Sequence, residues 1–280
     1  MSKKAAAAMF FFTVTGLLSA AVFFAVVLFG LFYCVSKIGL DASLSVFAAE
    51  WIPADSKYGI LPMISGTVVT ALLAVLFAAP LSLGIITCIW VYKNAFSSFL
   101  RGLLRFMSGI PTVVYAFCGL FILVPLFRSM YGGSGFSIFT VSAVLCLLIL
   151  PIMTLTADSA LHSFIKSPEN PMLTADSLGI KRDKSFLYLA LYAQRKLLLT
   201  GVLLAFGRAM GDTLIALMLS GNAPVMPDGV LSSVRTLSGH ISLLTAAEIT
   251  PQAEFTLFLS GFLLFVSALF VSFITRALRR

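Results

Sequence analysis

Residues 136–157 read FSIFTVSAVLCLLILPIMTLTA, a stretch without one Asp, Glu, Lys, Arg or His. A run of about 20 apolar residues is what a helix needs to cross the hydrocarbon core of a bilayer. This stretch names the solvent of the chain as lipid. Further runs of the same kind lie at about 8–35, 62–92, 109–127, 197–220 and 255–275. Together they predict an all-α membrane protein with about six transmembrane helices, because helices satisfy every backbone polar group internally. The run over 62–92 is longer than one crossing requires, and Pro80 inside it offers a kink or a tilt. The run over 8–35 follows Lys3 and Lys4 as a signal peptide would, yet it exceeds the length of such a segment's apolar region, which favours an uncleaved first span.

Composition agrees. Of 280 residues, 60% are hydrophobic and only 11% charged, against roughly 25% charged in a soluble domain. The mean hydropathy is +1.05. No stretch between the runs is long enough for a separate soluble domain. Cys34, Cys88, Cys118 and Cys146 stand singly inside apolar runs, without C-x-x-C spacing, and read as packing residues, not metal ligands or disulfide partners. His162 and His240 fall in polar segments and read as ordinary loop histidines.

The net charge of +8 is explained by orientation. With the N-terminus inside, Lys3, Lys4, Lys93, Arg101, Arg105, Lys166, Lys181, Arg182, Lys184, Arg195, Lys196, Arg276, Arg279 and Arg280 lie on the inner side. Only Lys37, Lys57, Arg128 and Arg235 lie outside, so the bias is fourteen to four with Arg208 left within a span. Such asymmetry is the topology signal of inner loops, places both termini in the cytoplasm, and removes any need for a nucleic-acid partner.

Arg208 and Asp212 carry the chemistry. They sit in Gly207-Arg208-Ala209-Met210-Gly211-Asp212-Thr213, with Arg208 about eleven residues into its run and near mid-membrane. A charge there costs at least about 2.5–3.5 kcal/mol on insertion scales, so it must face a partner or a wet cavity. Four residues apart on a helix, the two side chains share a face and can pair. A self-neutralising structural pair would explain them, but an apolar pair would pack there without the cost. The favoured reading has Arg208 meeting an anionic solute, its guanidinium fork suited to a tetrahedral oxyanion, with Asp212 holding it or competing for it. Gly207 and Gly211 form a G-x-x-x-G pair that suits close helix packing, within the chain or against a second subunit.

Two loops carry further pattern. The polar stretch at 158–196 predicts two short helices: one through Ala175, Asp176 and Ser177, a turn at Leu178, Gly179, Ile180 and Lys181, then a second through Phe186 to Leu191. Apolar knobs on such a loop can seat in the groove of a soluble partner. On the outer side, Val230, Val234, Leu237, Ile241 and Leu244 recur at spacings of four and three, predicting one apolar face of an interfacial helix with Arg235 and His240 off that face. The chain has no G-x-x-x-x-G-K-[ST] and no H-E-x-x-H, so it has no phosphate-cradling loop and no zinc motif of its own.

These residues carry a resemblance. The inner loop with its turn at Gly179, ahead of the fifth run, resembles the coupling loop of binding-protein-dependent ABC importer permeases (type I, MetI-like). Residues 58–67 (YGILPMISGT), 109–115 (GIPTVVY), 207–213 (GRAMGDT), 221–224 (GNAP) and 234–237 (VRTL) are similar to the phosphate branch of that family, closer to its PstC-type than to its PstA-type subunit. The resemblance runs from about residue 58 onward, dividing the chain into 1–57, an N-terminal span and outer loop, and 58–280, the permease core.

The resemblance implies an inner-membrane subunit that is not itself an enzyme and holds no cofactor or metal. It implies ATP and Mg on a cytoplasmic ATPase dimer, a second homologous permease, and an extracytoplasmic phosphate-binding protein. Arg208, Asp212 and Arg235 would line the pathway. Ala175, Asp176, Ser177, Leu178, Gly179, Ile180 and Lys181 would seat in the ATPase. The chain departs from the family where Leu173-Thr174-Ala175 replaces Glu-Ala-Ala, where Tyr192 stands for the closing proline, and where Asp212 stands for glutamate. A permease for molybdate, tungstate or sulfate is the nearest alternative. An ion-driven secondary transporter would call for internal repeats with broken helices, and a membrane enzyme for a nucleophile or metal cluster.

Overall fold

The computed structural model describes residues 3–38, 45–92, 95–165, 171–246 and 250–278. Lys93, Lys166, Arg279 and Arg280, counted above for orientation, lie outside them, as do parts of both long outer loops. Among the described residues five helices are long and apolar enough to span a membrane. They are α1 (Lys3–Ile38), α2 (Leu61–Val91), α4 (Thr112–Tyr131), α5 (Ile138–Ile165) and α11 (Pro251–Leu278). Shorter helices connect them: α3 (Ala95–Gly109), α6 (Pro171–Ser177), α7 (Arg182–Ser185, continued by a π turn over Phe186–Leu191) and α10 (Leu237–Thr245). The architecture is the all-α membrane fold that hydropathy predicts.

One expected span is not a single helix. The run at 197–220 forms α8 (Arg195–Met210) and α9 (Leu214–Leu219), with the chain broken over residues 211–213. Helix α5 continues to Ile165 and so takes in the first part of the 158–196 stretch. One other expectation is corrected as well. On the outer side, Val230 and Val234 are not helical. The Val230 and Ser232 carbonyls accept the first N–H groups of α5, from Phe139 at 2.8 Å and Ile138 at 3.0 Å. Val234 bridges to Gly221. These bonds hold the segment in a turn over 229–232 and then as irregular chain until Thr236, whose hydroxyl accepts from the Gly239 N–H at 3.1 Å and opens α10.

The centre is the pair α2 and α5, which run parallel. Alanines 71, 74 and 78 line one face of α2 and are fully buried, letting the two helices approach closely. Two polar bonds fix their register. The Ser142 hydroxyl donates to the Thr70 carbonyl at 3.0 Å, and the Thr154 and Ser82 hydroxyls meet at 3.0 Å. Val141, Val144, Leu145 and Ile149 complete the core with Ala205 and Ala209 of α8 and Ile215 and Leu219 of α9. Helix α1 lies at the edge, touching α11 through Phe23, Phe24, Phe262 and Phe265, and among its described side chains exposes most of the apolar ones. In a membrane that exposure faces lipid and carries no penalty.

A β-hairpin of β1 (Trp51–Ile52) and β2 (Lys57–Tyr58) covers the end of the bundle where α2 and α11 begin. Under it sits His240, which is completely buried and not the loop histidine expected from its polar neighbours. Its ring stands edge-on to Trp51 with centroids 4.5 Å apart, and its Nε2 lies 3.2 Å from the Thr256 hydroxyl. Burial, with Arg235 nearby, lowers its pKa to about 3, so the imidazole is neutral at physiological pH.

Candidate translocation site and coupling surface

The break between α8 and α9 is built by Asp212. Its Oδ2 pairs with Arg208 Nη1 at 3.1 Å, and its Oδ1 accepts the Ile215 N–H in the first turn of α9 at 2.9 Å. Its backbone carbonyl accepts from the Ser238 hydroxyl of α10 at 2.9 Å. One residue thus joins three helices. The pair is unequal in exposure: the Asp212 side chain is 3% exposed and that of Arg208 38%. Chemically, Arg208 can offer its remaining N–H groups to an anion, while Asp212 is the counter-charge that orients it.

Gly207 meets α11, where an added Cβ would lie 3.2 Å from Val271 Cγ1. Gly211 is exposed and faces no neighbouring helix within van der Waals reach. The glycine pair therefore touches a helix of the same chain at one of its two positions.

Arg235 stands just before α10. Its Nε donates to the Asn222 carbonyl at 3.0 Å, and burial lowers its pKa. Asn222 adopts a left-handed conformation, φ 55°, and its amide donates to the Leu217 carbonyl at 2.7 Å. The outer loop is thereby braced onto the end of α9. Ser238, which binds the Asp212 carbonyl, lies three residues beyond Arg235, so the loop and the helix break form one connected unit.

At the other end, α6 closes through a glycine turn. Gly179 has φ 72°, its N–H donates to the Asp176 carbonyl at 3.1 Å, and the Ile180 N–H donates to the Ala175 carbonyl at 3.1 Å. This is the six-to-one and five-to-two bonding of a Schellman end. Ala175 is buried, whereas Asp176, Ser177, Leu178, Gly179, Ile180 and Lys181 are exposed. The turn is held from behind: Phe186 is fully buried and Met172 nearly so, among Ile86, Ile89, Trp90, Leu104, Ala157 and Leu161.

That socket is edged by a cluster not anticipated from sequence. Arg101 of α3 meets Asp158 of α5 with both Nε and Nη2, at 3.2 and 3.1 Å. Trp90 Nε1 donates to the same carboxylate at 2.9 Å, and the Arg101 guanidinium lies 5.2 Å from the Trp90 ring centre. The partners are 57 and 68 positions apart, beyond any local periodicity. The available signal was Asp158 itself, an acid directly after an apolar run. Among the described residues no group of His, Cys, Asp or Glu is placed to hold a metal ion.

No protein-family model matches the chain. Among curated proteins it is 34% identical over 198 residues to the "Probable ABC transporter permease protein YqgH" of Bacillus subtilis, covering 69% of this chain and 63% of that protein. It is 28% identical over 256 residues to the "Phosphate transport system permease protein PstC" of Xylella fastidiosa, covering 82% of this chain and 76% of that one. The "Probable phosphate transport system permease protein PstC" of Methanocaldococcus jannaschii is 28% identical over 264 residues, 86% of this chain and 81% of its own length. The chain thus spans under two thirds of the first relative and about three quarters or more of the others. In sequence, then, the chain is similar to ABC transporter permeases, PstC proteins among them.

Proposed function

We propose that this chain is the transmembrane permease subunit of an ATP-driven phosphate importer. The reading is carried by the similarity to proteins named as phosphate permeases, which extends over four fifths of the chain. Arg208, a partly exposed cation in a broken helix, supports it. In this reading a phosphate-binding protein delivers the anion to the outer side, and the pathway runs between this chain and a second, homologous permease. Arg208 meets the anion, Asp212 orients Arg208, and Arg235 stands near the outer mouth. Hydrolysis of ATP, with its Mg, belongs to two cytoplasmic subunits that grip the turn at Leu178, Gly179 and Ile180. Both termini are cytoplasmic, in accord with the basic residues of the inner loops. Alternation between outward and inward openings is the rocking of packed bodies, of the hinge and shear kind.

Uptake of radiolabelled phosphate tests this, with the chain co-expressed with its partner subunits and competed by sulfate and molybdate. Saturable, ATP-dependent uptake that neither competitor suppresses is expected. Suppression by molybdate or sulfate well below the phosphate concentration would move the assignment to that oxyanion. The coupling role has its own test. Gly179→Pro loses the N–H that bonds Asp176 and forces φ away from 72°, a change concentrated in one turn. The ATPase should then fail to co-purify, while the variant itself still inserts in the membrane. Co-purification at the original ratio would remove the turn from the docking surface.

A further inference from the structure

We propose that Trp90, Arg101 and Asp158 form a transmission clasp. They are positioning residues that hold α3 against the socket of the inner loop, so that movement of the loop is delivered to α2 and α5. The inference rests on the reading of this chain as an ATP-driven permease. It adds a part of the coupling path that lies behind the docking turn.

The clasp and the socket share the same turns of the same helices. Trp90 belongs to both, since its ring lies among the residues around Phe186 while its Nε1 binds Asp158. Leu104 follows Arg101 by three residues on α3, and Ala157 and Leu161 flank Asp158 on α5; all three wall the socket. The inner loop enters this socket through Phe186, which is fully buried, and Met172. On its other side the loop shows Leu173, Leu178, Ile180 and Tyr188 to solvent. A force on the exposed knobs is therefore received first by Phe186 and Met172, and next by the helical turns that the clasp ties together.

Helix α3 depends on that tie. It buries only Ser97 and Leu104 completely and exposes Phe96, Phe99, Leu103 and Phe106 along the rest of its length. A helix so lightly anchored can slide against its neighbours. The two-toothed Arg101–Asp158 contact fixes one position and one angle, which apolar contacts alone do not. Stability is a weak explanation for the arrangement. Arg101 and Asp158 retain only 31% and 18% of their side-chain exposure, and well-packed apolar groups commonly replace such a pair without loss. What the pair supplies is geometry. The Trp90 N–H and the ring face under the guanidinium each add a further constraint on the same two side chains.

The experiment uses the full transporter complex in proteoliposomes, reading radiolabelled phosphate uptake and ATP hydrolysis together. Asp158→Asn keeps the shape and removes the charge; Trp90→Phe keeps the ring and removes only the N–H. With Asp158→Asn, phosphate carried per ATP hydrolysed should fall about tenfold or more, the scale of a coupling between distinct sites. The ATPase should still co-purify and hydrolyse. Trp90→Phe should give a smaller fall in the same ratio. An unchanged ratio in Asp158→Asn overturns the proposal. So does a fall that merely tracks a loss of folded complex, measured by co-purification and thermal unfolding, because the cluster is then a folding staple. If the unaltered complex carries no phosphate, the failure is that of the importer reading and not of the clasp.

Discussion

In the importer proposed above, Arg208→Ala is expected to lower phosphate uptake by about a hundredfold while the permease still assembles with its ATPase. Hydrogen bonds to charged groups contribute about 1.5–3 kcal/mol each, so losing a two-toothed contact to an anion accounts for roughly two orders of magnitude. Assembly survives because Asp212 keeps its second bond, to the Ile215 N–H at 2.9 Å, and its backbone stays tied to Ser238. The break between α8 and α9 is therefore retained. Arg208→Lys refines the result by keeping the charge and losing the fork, and should recover only part of the uptake. Initial uptake rates, measured beside co-purification of the ATPase, read both halves of this expectation. Normal uptake in the alanine variant would remove Arg208 from the pathway.

The second large effect is structural. Gly66→Val should prevent the outer half of the molecule from packing, at a cost of roughly 3 kcal/mol, the upper end for overpacking. An ideal Cβ at Gly66 would lie 2.6 Å from the backbone carbonyl oxygen of Arg235, which has no rotamer through which to yield. The next residue, Thr67, accepts the Leu237 N–H at 2.8 Å, and that bond seats α10 on α2. Pushing the backbones apart loses this bond and shifts Arg235 with it. The checks are the folded yield in detergent and the midpoint of thermal unfolding. Gly66→Ala should fall in the same direction, since the clash is with its first carbon. A valine variant with the stability of the parent would contradict the close approach.

The legible parts of this protein are those that water or lipid imposes. Hydropathy gave the long helices, because a lipid-facing surface such as that of α1 tolerates no other composition. The turn at Gly179 was legible too, since glycine there takes a backbone conformation that other residues adopt at a cost. Periodicity misled where hydrogen bonds from elsewhere in the chain decide the outcome. Val230 and Val234 keep helical spacing, yet the start of α5 claims the carbonyls of that segment. His240 sits among polar neighbours but finds Thr256 and Trp51 in three dimensions. Arg101 counted in sequence only as one basic residue for orientation; its bond to Asp158 exists only once α3 folds beside α5. The break after Met210 had a visible cue in Gly-Asp-Thr, residues that favour turns and helix starts, but the apolar residues on both sides argued for continuity.

The two bonds between α2 and α5 carry a consequence for how this sequence can change over time. On each helix the two bonded residues lie twelve positions apart, Thr70 from Ser82 and Ser142 from Thr154. A single residue inserted between them on one helix would advance that side by about 1.5 Å and turn it by about 100°. One bond would then be lost whichever end stayed in place. Point substitutions inside this interval can be absorbed by repacking, but a one-sided insertion or deletion cannot. Length variation among descendants of this chain should therefore collect in the outer and inner loops, with the spacing inside both helices held constant.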